Sequence, residues 1–179
     1  QNMKNKLNQS KLKLAIVSAM LVGSAGFSAA SYAGSTMEVT TLVGEACLVS
    51  IATTMSFDAY APLTTHSGTA LTKDSTIAAH CTLNTTATIS LNVGLNPVSA
   101  ENTATPARRM SNGATGLLAY NLYRDPGHTT IWGAGPGNGS AYTGTGISSD
   151  VLIFGKIGSG LVVPNGNYTD TVTVSIDLG

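Results

Sequence analysis

Residues 87–95 read ATISLNVGL, and Asn96-Pro97 closes the run. Ala87, Ile89, Leu91, Val93 and Leu95 alternate with small or polar residues, so a period of two puts them on one face of an extended strand. The same period recurs on both sides. Upstream, Ile77, Ala79, Cys81 and Leu83 share a face, as do Cys47, Val49, Ile51, Met55 and Phe57. Downstream, VLIFGKI at 151–157 predicts a strand. Between Tyr168 and Leu178, Val172, Val174, Ile176 and Leu178 alternate with Thr171, Thr173, Ser175 and Asp177. LLAYNLYR at 117–124 is apolar on both faces, as expected of a central strand covered on each side. No segment after residue 33 has a helical period. Regularly spaced short strands with Gly and Pro turns point to an all-β sandwich of the immunoglobulin-like kind.

The connections follow from composition. Residues 58–74, with Pro62, Ser67 and Gly68, read as a loop, and the polar stretch 98–116 holds a short strand at Arg108-Arg109-Met110. Asp125-Pro126-Gly127 and Pro164-Asn165-Gly166 are turns, Ile131-Trp132 is a brief strand, and GAGPGNGSAYTGTG at 133–146 reads as a flexible surface loop. About six principal strands result. A seven-stranded sandwich would then be one strand short, with a groove left open between its sheets.

The N-terminal residues carry a different pattern. Lys4, Lys6, Lys11 and Lys13 precede an apolar run from Leu14 to about Phe27, and Ser31-Tyr32-Ala33 offers small residues where a signal peptidase reads. Residues 1–33 are therefore expected to be an export signal, cleaved between Ala33 and Gly34. The remaining residues, about 146, suit one domain. They keep five of the nine basic residues and all nine acidic ones, a net charge of −4. That balance argues against a nucleic-acid partner, which needs a clustered basic surface. For an exported chain, Cys47 and Cys81 as the only cysteines are expected to form one disulfide.

Between the signal and Cys47 lies TMEVTTLVGEA, residues 36–46. Met37, Val39, Thr41 and Val43 point one way in an extended strand, and Glu38, Thr40, Leu42 and Gly44 the other. Such a terminal strand pairs either within its own domain or with another molecule. The expected organisation is thus 1–33 signal, 34–46 N-terminal strand and 47–179 β-sandwich.

Several of these pieces together resemble the spore coat protein U domain family. They are an inward Cys soon after a terminal β-segment, Ile-x-Ala-x-Cys at 77–81, AYNLYRD at 119–125, VLIFGKI at 151–157, and P-x-G-x-Y-x-D-T-V-x-V-x-I at 164–176. Members of that family include pilins of archaic, Csu-type chaperone–usher pili. The resemblance implies an incomplete immunoglobulin-like sandwich whose groove a periplasmic chaperone fills, until an outer-membrane usher replaces that strand with the N-terminal donor strand of the next subunit. It implies Met37, Val39, Thr41 and Val43 as donor residues. Thr41 departs from the pattern, since a larger aliphatic residue is expected there. Neighbouring pilin subunits, a cell-surface pilus, adhesion and biofilm formation are further implications. The alternative is a self-contained secreted domain, spore-coat-like or carbohydrate-binding, whose N-terminal strand folds back on its own sheet.

Enzymatic chemistry finds little footing. No G-x-S-x-G elbow, H-E-x-x-H or close carboxylate pair is present, and His66, His80 and His128 are scattered. No cofactor or metal is expected, since His80 beside Cys81 would point to the opposite strand face. Tyr168 is expected to be a corner tyrosine bonding to backbone across the sandwich. Tyr120, Tyr123 and Trp132 are core residues or, in the carbohydrate-binding alternative, a ligand platform. Arg108, Arg109 and Arg124 read as solvated surface charges, with Asp125 and Asp170 as possible ion-pair partners.

Overall fold

The computed structural model describes residues 36–135 and 137–179, so the proposed signal and its cleavage point at Ala33-Gly34 lie outside the described residues. Two units are distinguished, one ending at Thr40 and one beginning at Thr41. In the first, residues 36–40 carry no strand. The second holds eight strands and, among the described residues, no helix: β1 (Cys47–Ile51), β2 (Leu71–Cys81), β3 (Thr86–Leu91), β4 (Arg108–Ser111), β5 (Leu117–Tyr123), β6 (Ser140–Thr143), β7 (Ser149–Ile157) and β8 (Val174–Leu178). All pairings are antiparallel. One sheet has the order β1-β2-β7-β5-β4, the other β6-β3-β8.

The alternating residues build the core between these sheets. Ile77, Ala79, Leu118, Tyr120, Leu122, Ile153 and Ile157 come from the first sheet, and Ile89 and Leu91 from the second. Trp132 links them. Its backbone N–H donates to the Leu122 carbonyl at 2.8 Å and its indole Nε1–H to the Ile89 carbonyl at 2.9 Å, so one buried residue ties β5 to β3. Cys47 and Cys81 stand opposite each other in the β1–β2 register and form the expected disulfide.

The structure revises several sequence expectations. β2 starts at Leu71, inside the stretch read as a loop, because its ladder with β7 runs unbroken from Leu71↔Ile157 to Ala79↔Ser149 and holds polar Thr72-Lys73-Asp74 in strand geometry. At its other end Leu83 is exposed rather than inward. There Asn84 adopts a positive φ of 65° and reverses the chain into β3. β3 likewise stops at Leu91, and Leu95 is exposed beyond Gly94, which turns at φ 80°.

Other revisions concern coverage. β5 buries only the face of Leu118, Tyr120 and Leu122, while Leu117 and Ala119 are exposed. Helices on both faces would be needed to cover it twice, and the fold has a single second sheet. The Gly-rich stretch 133–146 contains β6, which pairs with β3. Ile131 contributes an isolated bridge to Tyr123 in place of a strand. The long C-terminal strand is regular only from Val174, where its ladder with β3 begins at Leu91↔Val174.

Candidate functional site

The truncated last strand leaves an opening in the sandwich. Among the described residues β8 pairs with β3 alone and β1 with β2 alone, so each stands at the edge of its sheet, and the two strands lie near each other. Beside them is a groove of about 1150 Å³. Its floor is apolar core: Leu91, Met110, Leu118, Leu122, Ile153 and Ile157. One wall is residues 51–64, which leave the β1 ladder after Ile51, and the other is 163–174, which leads into β8. A sandwich core normally closes over such side chains. Here Leu91, Leu118, Leu122, Ile153 and Ile157 are buried beneath the groove, and Met110 is half-buried beside them.

Local features shape both walls. On the first, Met55 and Phe57 pack where a side chain at position 155 would sit, so Gly155 in β7 makes room for the chain to turn inward after β1. Tyr60 pins the far end of that wall: its hydroxyl donates to the Gly158 carbonyl at 2.6 Å and accepts the Leu161 N–H at 2.9 Å. On the second wall, Tyr168 donates to the carbonyl of Pro164 at 2.6 Å. It is therefore a corner tyrosine that closes on backbone four residues upstream, not across the sandwich. Thr169 exchanges two backbone hydrogen bonds with Ser111, at 2.9 and 3.0 Å.

Polar groups at one end join floor and wall. Tyr120 donates its hydroxyl to Asp170 Oδ2 at 2.7 Å, and Asp170 Oδ1 accepts the N–H groups of Leu95 and Thr171, each at 2.8 Å. Burial pushes the Tyr120 phenol well above its ordinary pKa, and its bond to the Asp170 carboxylate adds to the rise. Arg108, read from sequence as a surface charge, is fully buried. Its Nε and Nη2 donate to the carbonyls of Asn92, Leu91 and Trp132 at 2.8 to 2.9 Å. Burial lowers its pKa to about 10, and the nearby Tyr120 and Asp170 oppose that fall.

The remaining candidate residues separate by place. Arg109 donates to the carbonyls of Asn96 and Pro97, and Arg124 to that of Gly139. Among the described residues the ion pair is Lys73–Asp58 at 3.5 Å, so the arginines serve carbonyls instead of Asp125. Asp125 caps its own turn, accepting the N–H groups of Thr129 and Thr130. Tyr120 and Trp132 are buried, which removes them from any ligand platform. No group of three or more His, Cys, Asp or Glu side chains suited to a metal occurs among the described residues.

The segment carrying the expected donor residues has no strand of its own. Met37 is 84 %, Val39 81 %, Leu42 92 % and Val43 78 % exposed, so apolar side chains of both faces meet solvent. Sequence reasoning marked this segment by its alternation but had no means of locating the groove walls. Those arise from where strands stop.

An all-β immunoglobulin-like sandwich with a groove floored by core residues is the class that fold and site define. Residues 33–175 match the Spore Coat Protein U domain, and the chain belongs to that family. It is 36 % identical over 140 residues to Protein U of Myxococcus xanthus, covering 75 % of this chain and 78 % of that protein. Its fold is similar to that of a chain in the CsuC–CsuE chaperone–tip adhesion subunit pre-assembly complex from archaic chaperone-usher Csu pili of Acinetobacter baumannii. There the TM-score is 0.51 at 23 % identity, over 75 % of this chain and 40 % of that one. The chain thus spans about two fifths of the solved chain it matches.

Proposed function

We propose that this protein is a structural subunit of an archaic chaperone–usher pilus, polymerising when residues 36–45 of one copy enter the groove of the next. The observation that carries this reading is the groove itself, floored by apolar core residues and walled by 51–64 and 163–174, in a chain whose alternating segment 36–45 forms no strand and exposes its apolar side chains. An extended peptide added at an exposed sheet edge gains main-chain hydrogen bonds, and pockets for alternate side chains select it. Burying Met37, Val39 and Val43 contributes about 5–9 kcal/mol before the cost of association.

On this reading residues 1–33 direct export and are removed after Ala33, a periplasmic chaperone occupies the groove until assembly, and an outer-membrane usher exchanges the strands. The pilus then serves surface adhesion and biofilm formation. Membership of the spore coat protein U family and the fold likeness to a pilus assembly complex support it. The second reading is a self-contained secreted, spore-coat-like domain whose N-terminal strand folds back on its own sheet, which the family's description also suits. Thermal unfolding and solution size separate the two when residues 34–179 are compared with the same chain carrying a second copy of 36–45 after Gly179. Donor-strand assembly requires the extended chain to be monomeric and markedly more stable, and the shorter one to polymerise. Two equally stable monomers would refute it.

A further inference from the structure

The two stretches that carry the family resemblance most specifically, 118–125 and 166–176, meet at one hydrogen bond, from Tyr120 to Asp170. Tyr120 stands on the groove floor and Asp170 in its wall. This wall needs holding. Residues 170–173 belong to no strand, and their ordered neighbour on one side is Asn92, which donates its N–H to the Thr173 carbonyl at 3.0 Å and accepts the Thr173 N–H on Oδ1 at 2.9 Å. Asp170 adds three bonds, to Tyr120, Leu95 and its own neighbour Thr171. Gly94, at φ 80°, gives the carboxylate its place, because a Cβ there would collide with it. Behind the pair, the buried Arg108 guanidinium anchors to Leu91 and Asn92, the end of β3 from which the Asn92 contacts spring.

We propose that Arg108, Tyr120 and Asp170 form a clasp that keeps the 168–173 wall in strand-accepting shape while the groove is empty, making them positioning residues for strand uptake. The inference rests on the donor-strand reading and deepens it. A free edge competent to pair must already present its N–H and C=O groups in line, since ordering them at the moment of binding subtracts from affinity. Once a strand fills the groove, its ladder holds the same wall, and the clasp becomes largely redundant. A merely structural role makes the opposite prediction, an equal loss of stability in the empty and filled states.

The test uses a fluorescent peptide of residues 36–46 and the full chain, kept dilute, with and without Tyr120→Phe and Asp170→Asn. Tyr120→Phe removes one charge-assisted hydrogen bond and is expected to weaken peptide capture about 10-fold or more. Asp170→Asn has one amide oxygen in place of two carboxylate oxygens, so it satisfies either Tyr120 or the Leu95 and Thr171 N–H groups but not both, and is expected to weaken capture at least as much. In chains carrying the second copy of 36–45 after Gly179, both variants should melt close to their parent, and amide exchange at Thr171 and Thr173 should accelerate only in the empty form. If wild type captures peptide and the variants match it, or if the melting losses are equal in empty and filled chains, the clasp is overturned while donor-strand uptake stands. If wild type captures no peptide, the donor-strand reading itself falls, and the clasp with it.

Discussion

Removing the disulfide with Cys47→Ala and Cys81→Ala gives the sharpest test of how β1 is held. β1 has five residues, a ladder to β2 only, and exposed Leu48, Ser50 and Ile51. Little apolar burial therefore retains it. The bridge closes a loop across 34 positions, and the chain-entropy relation assigns such a loop about 3.8 kcal/mol at 25 °C. With a urea slope of about 1.5–2 kcal/mol/M for a domain of this size, the midpoint is expected to fall by about 2 M. Equilibrium urea unfolding of wild type and the double variant, each followed by tryptophan fluorescence, measures it, since the single Trp132 is in the core. Amide exchange adds the local part: β1 should lose protection before β2 and β7, because it is an edge strand beside the groove. Coincident midpoints with β1 still protected would refute the reasoning and show that five ladder positions suffice.

Arg108→Met leaves the carbonyls of Leu91, Asn92 and Trp132 without their charged donor, and is expected to cost about 3–5 kcal/mol in urea unfolding. Arg108→Lys should recover only part of this, because an ammonium lacks the guanidinium fork. Asp125, held at a pKa of about 2 chiefly by the Thr129 N–H, stabilises the fold above the ordinary aspartate range and loses that contribution as pH falls toward 2. The melting-temperature gap between wild type and Asp125→Ala should therefore be present at pH 6 and close between pH 4 and 2. Val39→Asp should leave the melting of the monomer unchanged, since Val39 is exposed there, yet weaken assembly by at least about 100-fold in sedimentation, because a carboxylate would enter an apolar groove.

Much of the architecture was legible because the relevant signal is local. Alternation at 77–81 and 87–91 places Ile77, Ala79, Ile89 and Leu91 in the core, as the period of two requires, and the strand read at 151–157 lies within β7. The paired cysteines and the turn at Asp125-Pro126-Gly127 were equally local. Arg108 was misread for the opposite reason. Nothing near it in sequence reveals that three carbonyls from β3 and Trp132 converge on its side chain, so a default surface charge turned out to be the most buried cation described. β6 stayed hidden in a Gly-rich run because its strand state comes from pairing with β3, not from its own propensity.

By itself, then, the sequence determined the all-β class, the inward faces at 77–81 and 87–91, the disulfide partners and the alternation at 36–46, since side-chain period and composition are properties of consecutive residues. Only the tertiary structure decided where β1 and β8 end, which strands are left with a free edge, and that Tyr120 and Asp170 meet at the groove. Those depend on residues far apart in sequence being brought together, 50 positions for Tyr120 and Asp170, and a ladder that stops is visible only when its partner strand is in place.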